Sequence, residues 1–570
     1  MISSPLIRRL LTLGVFVLLT LNFTQAQVEN VPANHPVYDF LKRMHVKRFF
    51  TRYFDAIIPT SRSAVVSYLD SIETKRDLIG TAESGYLDEY NQEFAFDRDG
   101  TLGNIISLLP ATGVNEEVDR YDLFGNKEKF LYILKDNNIG LFANALGGLN
   151  VRRFFSDPGD ERAEYFQGGV RVRGTLYEKL GFLAQATNAQ FWGSRALLQQ
   201  DPVIGQSYAL GTVDSKNFDF SEGYARYDAG MVAVQAGRER IFWGYGRGQQ
   251  MVLSDNIRVF DFLKADFQYK SFKYTFLHAW ILGRRQILDY TLPSDTSSVF
   301  QETVAADKYF AAHRIEFSFG HMLDLGFQEM AIYSNRSLDL AYLNPFVIIE
   351  SAQRSREERD NVFWMFDLRT RAIQNIELHG SLLLDDIHFS EAFSNSWINR
   401  FGFQLGGMYV DPFGLNNVSM TAEYTRIEPF VFSHGRSREN DYGSLGRVLG
   451  PSIGPNADKW LFRVDYFPYR HLVLSIWGEF TRKGNNILDA NGVLIKNVGG
   501  DILQPHRNTD PETKSFLDGI LVRTKRFSLQ ANLEIWNQIW WDLRYQNEAI
   551  KVEGVRSTTH LVISGIRAEF

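Results

Sequence analysis

The 570-residue chain contains no cysteine, which excludes disulfides, thiolate metal sites, thiol catalysis and a lipid-modified N-terminal cysteine. Its stability must come from burial and backbone pairing. Long hydrophobic runs are scarce as well. The first, from Leu10 to Leu21, follows Arg8 and Arg9 and precedes Thr24-Gln25-Ala26, the order of a cleaved export signal. It falls short of the roughly 18 apolar residues that span a bilayer as a helix. No later run reaches that length and mean hydropathy is −0.22, so a helical membrane bundle is excluded. A basic excess is missing too: residues 1–26 carry two of the 61 Lys and Arg, leaving 59 against 67 acidic residues. No nucleic-acid partner is expected.

Aromatic residues, in contrast, make up 14% of the chain. A long, exported, aromatic-rich chain of weak overall hydropathy fits a β-barrel in the outer membrane of a Gram-negative bacterium, where only alternate residues meet lipid. Residues 27–138 differ from the remainder, because apolar residues recur there at helical spacing. Val37, Phe40, Leu41 and Met44 form one stripe, opened by Pro36. Val65, Leu69 and Ile72 form a second, with Thr60 and Ser61 as N-cap candidates. Leu87, Tyr90 and Phe94 form a third. These predict a small helical domain and junction, placed in the periplasm.

From Ile139 to Phe570 the period changes to two, the strand signature. Val170, Val172, Gly174 and Leu176 alternate with Arg171, Arg173, Thr175 and Tyr177, and Ile376–Leu384 and Phe401–Tyr409 alternate likewise. Charge on the second face suits a wet lumen. The last segment carries Val562, Ile566, Ala568 and Phe570 on one face, a pattern similar to the C-terminal strand by which barrel assembly machinery recognises its clients. Counting back from Phe570 puts eight short periplasmic turns near Lys179, Ala229, Lys270, Gly320, Ala372, Phe413, Pro468 and Lys525. Nine longer loops fall outside, among them 243–257, 282–307, 334–359 and 428–458. Phe527 to Tyr545 keeps its apolar residues at odd positions and reads as one long strand, because a two-residue hairpin would swap the faces. The expected fold is therefore an all-β transmembrane barrel of about 18 antiparallel strands behind a helical domain.

Catalytic patterns are weak. Gly244-Tyr245-Gly246-Arg247-Gly248 lacks the Lys-Ser or Lys-Thr pair and the following helix of a phosphate loop. Asp385 and Asp386 point to opposite faces of a strand and cannot work as a pair. Asp386 and His388 share a face, but too few histidines lie nearby to complete a metal site, and no Gly-x-Ser-x-Gly elbow is present. No enzyme, cofactor or metal is expected. The outer loops combine arginine with aromatic residues: Arg354, Arg356 and Arg359 in one, and Phe430, Phe432, Arg436, Arg438, Tyr442 and Arg447 in another. Guanidinium forks bind carboxylates and flat rings lie against sugars, so an acidic polysaccharide would suit them.

His35-Pro36-Val37-Tyr38-Asp39-Phe40-Leu41, Gly237-Arg238-Glu239-Arg240-Ile241-Phe242-Trp243-Gly244-Tyr245-Gly246, Leu253-Ser254-Asp255-Asn256, Ala312-His313-Arg314, Tyr342-Leu343-Asn344-Pro345-Phe346, Arg359-Asp360-Asn361 and Leu383-Leu384-Asp385-Asp386 together resemble the Wzi-type capsule assembly proteins, in the form common in Bacteroidota. The resemblance implies an eighteen-stranded outer-membrane barrel with a periplasmic helical part, acting as a lectin that holds exported capsular or extracellular polysaccharide at the cell surface. Trp243, Tyr245 and Arg247 join the loop arginines as candidate sugar contacts. Outer-membrane lipid and the barrel assembly machinery are the other expected partners. The alternative is a substrate-specific porin or channel. Lys42 and Lys47–Phe49 depart from the family pattern, which has a more acidic, glycine-containing helix end there. A closed barrel resists detergent, so the unheated protein should migrate faster in a denaturing gel than the boiled protein; equal mobility would count against the barrel.

Overall fold

The computed structural model describes residues 27–113, 125, 127–156, 159–207, 210, 215–292, 295–355, 357, 360–386, 394–435, 437 and 439–570; the expected export signal lies outside them. Eighteen antiparallel strands run from Ile139–Ser156 to Val555–Glu569 and close on each other, with Thr559 opposite Ser156 and Glu569 opposite Leu146. Closure leaves the wall no free edge. The apolar stretch Phe130–Leu134, expected at the junction, supplies part of Tyr132–Asp136, which pairs with the foot of the first strand below the seam. Among the described residues no helix is long and apolar enough to cross a membrane.

Period-two alternation does what the sequence requires of it. Val170, Leu382, Leu405, Phe462 and Ile566 stand exposed on the outside, a face that only lipid can cover. One rim carries short turns and the other carries long loops. Seven of the eight expected turns lie within a few residues of the observed ones, including 177–179, 229–231 and 270–271. The eighth is not at Lys525. Strands Ile520–Trp536 and Ile539–Val552 form a hairpin around Asn537 and Gln538. The tip pairs Trp536 with Ile539, which alone would swap faces, but a bulge between Glu534 and Trp536 restores odd-to-odd pairing, Leu533 with Trp541 and Ala531 with Leu543. The expected loop at 282–307 is also paired: Phe272–Leu292 and Asp295–Ser318 continue as one ladder beyond a register shift after Leu282.

The three apolar stripes form helices Val37–Val46, Arg62–Glu73 and Thr81–Glu93. Ser61 caps the second by accepting from Ala64 N, and Pro36 sits at the N-cap of the first. Their apolar faces meet in one cluster that includes Val37, Leu41, Met44, Val65, Leu69, Leu87 and Phe94. The helices seat in the barrel at the short-turn end. The basic residues that break the family pattern supply the seat: Lys42 pairs with Glu377 at 2.6 Å and Asp55 at 3.0 Å, and Lys47 with Glu83 at 2.7 Å and Asp411 at 2.9 Å. The first helix ends at Val46 and Arg48 turns the chain with φ of 67°. Asp55 also pairs with Arg369, and Arg369 and Arg371 each bond Asp324 at 2.9 Å. Burial pushes the Asp55 carboxyl up, but Arg369 and Lys42 outweigh it and hold Asp55 well below the usual carboxylate range.

Two loops enter from the opposite rim. Phe242–Trp243 pairs with Ile57–Ile58 of the helical segment inside the barrel. Around this ladder Met251, Leu253, Phe432, Tyr442 and Leu449 pack with inward wall residues such as Leu277, Phe310, Met330 and Phe363. Part of the expected wet lumen is thus a dry core.

On the third helix, Glu89 lies beside Glu534 of the wall, whose carboxylate is 3.1 Å from His471 Nδ1. Burial, then the charge of Glu534, pushes the Glu89 carboxyl up to about 9. The docked helix therefore holds a proton at neutral pH that a free glutamate would release. That contribution is complete below the ordinary glutamate pKa and disappears as pH rises through about 9. Trypsin should cut within residues 27–113 severalfold faster at pH 10 than at pH 7, and Glu89→Gln should flatten that dependence; an equally steep profile in the variant would exclude Glu89 as its source.

Candidate functional site

The dry core leans on one side of the barrel, and a cavity of about 850 Å³ remains on the other. Its wall comes from Ala457–Tyr469, Leu472–Asn485, Ile520–Trp536 and Ile539–Val552. Each strand shows lipid one set of residues and the lumen the alternate set. Lys459, Arg463, Trp477, Glu479, Arg526, Arg544 and Glu548 consequently face inward. Eight basic side chains line the cavity against four acidic ones, so an anion entering it meets a surplus of positive charge.

Trp477 is the aromatic centre of this surface. The guanidinium carbons of Arg463 and Arg544 lie 5.4 and 5.0 Å from its ring centre. Arg463 is held by Asp465 at 2.8 Å, and Arg526 by Glu479 at 2.8 Å and Glu548 at 2.6 Å. Arg544 donates to Gln546 at 2.8 Å, forms no ion pair with any described carboxylate, and keeps its Nε without a partner. Such a guanidinium has donors to offer a ligand carboxylate.

Arg247 reaches this cavity from the folded loop. Its backbone N–H and that of Gly248 donate to the Glu423 carboxylate, and its guanidinium pairs with Asp39 at 2.5 Å. Enclosure in the barrel pushes the Asp39 carboxyl up, but Arg247, with Arg463 and Arg43, outweighs it and keeps Asp39 below the usual range. Asp39 is thus the helical segment's own anion against the arginine that reaches the cavity.

The other sequence candidates lie elsewhere. Trp243 is fully buried, donating from Nε1 to Gln328, and Tyr245 donates to Glu316 at 3.0 Å. Neither lines the cavity; both hold the loop that carries Arg247. Phe430, Phe432 and Tyr442, read as open sugar platforms, are buried in the loop core. Arg354 ends the helix Ile349–Ser355 on the outer side of the wall, exposed and paired with Glu350. Arg356, Arg359, Arg436, Arg438 and His388 lie outside the described residues. Asp385 accepts from Phe432 N at 2.6 Å and so ties a loop to the wall. Arg463, Trp477, Arg526 and Arg544 carry no loop signal in the sequence; they stand out only as the polar face of strands whose other face meets lipid.

Glu89, His471 and Glu534 place ligand atoms within 4.8 Å of one another, close enough for a metal ion. Arg470 nevertheless donates to His471 Nε2 at 2.8 Å, and this cation beside the shared carboxyl proton opposes a second positive charge.

Residues 145–561 match the family described as capsule assembly protein Wzi. The fold resembles that of Wzi from Escherichia coli, solved as a carbohydrate-binding β-barrel of the outer membrane involved in group 1 capsule assembly. The TM-score is 0.56 at 10% identity, over 96% of this chain and 99% of that one. The Pseudomonas aeruginosa barrels OccK5 and OccK3 match over 75% of this chain and 98% and 95% of theirs, at 10% identity and TM-scores of 0.41 and 0.40. A search of curated proteins by sequence gave no match.

Proposed function

Because the chain belongs to the Wzi family of capsule assembly proteins, we propose that it binds exported, anionic polysaccharide and retains it at the cell surface without a chemical step. The arginine surplus around Trp477 carries this reading: a ring for a sugar face, and beside it a guanidinium with free donors for a uronate-type carboxylate. Arg356, Arg359, Arg436 and Arg438 are proposed as first contacts on the outer loops, with Arg247 and the wall arginines deeper in. Many weak contacts along one polymer add through multivalency. The export signal is proposed to be cleaved after Ala26, and the C-terminal strand to engage the barrel assembly machinery. The helical segment is taken to face the periplasm, which puts Val493 outside.

Deleting the gene should release polysaccharide to the medium with synthesis intact; unchanged cell-bound polymer would overturn the proposal. Charge-assisted hydrogen bonds contribute about 1.5–3 kcal/mol each. Arg463→Gln with Arg544→Gln should therefore weaken binding of an anionic polysaccharide to the purified barrel tenfold or more at low salt, and salt should narrow the gap. Equal affinity in a normally assembled double variant would remove the cavity from the site. Val493→Cys, 61% exposed, should react with a membrane-impermeant maleimide on intact cells, and no reaction would reverse the orientation.

A further inference from the structure

The loop between wall strands Asp324–Ser334 and Asn361–Thr370 does not stand away from the barrel. It folds back along the outside of the wall. There Tyr342 and Ile349 cover Tyr309, Ala311, Ala331 and Tyr333, all on the lipid-facing register of their strands. The covered patch is polar for such a face: His278 bonds Tyr333, and Glu329 sits midway along its strand.

This strap satisfies its polar groups against the wall. Ile349 N and Glu350 N donate to the Glu329 carboxylate at 2.7 and 2.8 Å, Asp339 N to the Tyr333 hydroxyl at 3.2 Å, and the Tyr274 hydroxyl to Pro345 O. Tyr342 donates to Asp360 at 2.7 Å, and Arg336 pairs with the same carboxylate. From Leu338 to Ile349 the single acidic residue, Asp339, is buried. The large side chains turned outward are apolar, Leu340 79% exposed, Phe346 88% and Ile348 65%; of the small polar ones Ser337 lies at the strap's start, and the exposed Asn344 turns its Oδ1 back to accept from Phe346 N at 3.1 Å. In water this would be an unexplained apolar patch. In hydrocarbon it is the requirement met, because irregular backbone persists at membrane depth only when its polar groups are satisfied by protein.

We propose that the strap at residues 337–349 is embedded in the bilayer, with Leu340, Phe346 and Ile348 in contact with acyl chains as an extension of the barrel's lipid-facing belt. Continuity with that belt identifies lipid as the occupant. Directly beside it Phe317, Phe327, Phe366, Leu382 and Leu405 form an apolar groove on the same outer surface. Arg354, exposed at the end of the following helix, lies where the chain returns to the long-loop rim, a position suited to a lipid phosphate and not to the lumen.

The cysteine-free chain allows a direct test. Phe346→Cys and Leu340→Cys, each carrying an environment-sensitive fluorophore, are reconstituted in phosphatidylcholine vesicles beside two references, Leu405→Cys on the wall and Val493→Cys on an outer loop. Nitroxide on the lipid acyl chains should quench both strap positions as it does Leu405, while aqueous iodide quenches Val493 severalfold more. Iodide quenching of the strap equal to that of Val493 would overturn the proposal. So would protection of the strap from both quenchers, which would mean that protein covers it. If the Leu405 probe also reports water, it is insertion of the barrel that fails.

Discussion

Hydrocarbon offers no hydrogen-bond partner, so every peptide group of the wall must be paired within the protein. Ring closure between the first strand and Val555–Glu569 meets that constraint, and the rest follows from it. A closed ladder turns alternate side chains outward, which makes half of each strand apolar and leaves the charged half facing a shared interior. The loop that runs down the outside of the wall follows the same rule, its backbone borrowing partners from Glu329, Tyr333 and Tyr274.

The interior then has to deal with the charge it has collected. On one side the helical segment answers wall charges with its own: Lys42 and Lys47 meet Glu377 and Asp411, and Asp55 meets Arg369. Breaking such a buried pair by removing one partner typically costs about 3–5 kcal/mol, so the helices are fixed in position as well as sheltered. On the other side the helices supply Asp39 to Arg247 and little more. Beyond that point Arg463 and Arg526 find their carboxylates on the wall itself, and Arg544 has Gln546 and a tryptophan ring. What stabilises one half of the lumen and what could recognise a ligand in the other are the same arrangement, complete in the first and left open in the second.

The sequence shows the barrel well and its filling poorly, for a physical reason. Period two is a local property, so the strands, their lipid-facing residues and most turns could be read from neighbours alone. The hairpin at Asn537-Gln538 escaped because a single bulge residue restores the parity that a tight turn would have broken. Phe430, Phe432 and Tyr442 looked like exposed ring platforms because nothing local says that a loop folds inward; their partners, such as Phe363, lie in other strands. Lys42 and Lys47 looked like flaws in a helix for the same reason, because the wall carboxylates they meet, Glu377 and Asp411, lie hundreds of residues away. Among the proposed contacts Arg247 was legible through its motif, whereas Arg463 and Arg544 were visible only as polar members of an alternation.

The two-residue ladder between Ile57–Ile58 and Phe242–Trp243 joins a segment seated at one mouth of the barrel to a loop entering from the other. In mechanical terms the lumen contains a tie rod. Tension applied where the 240–259 loop meets the cavity runs along that loop, crosses the ladder, and passes through the buried pairs of Lys42 and Asp55 into wall strands at the far end. A load applied at the long-loop mouth is thereby shared by both ends of the cylinder, and a single loop does not have to bear it alone.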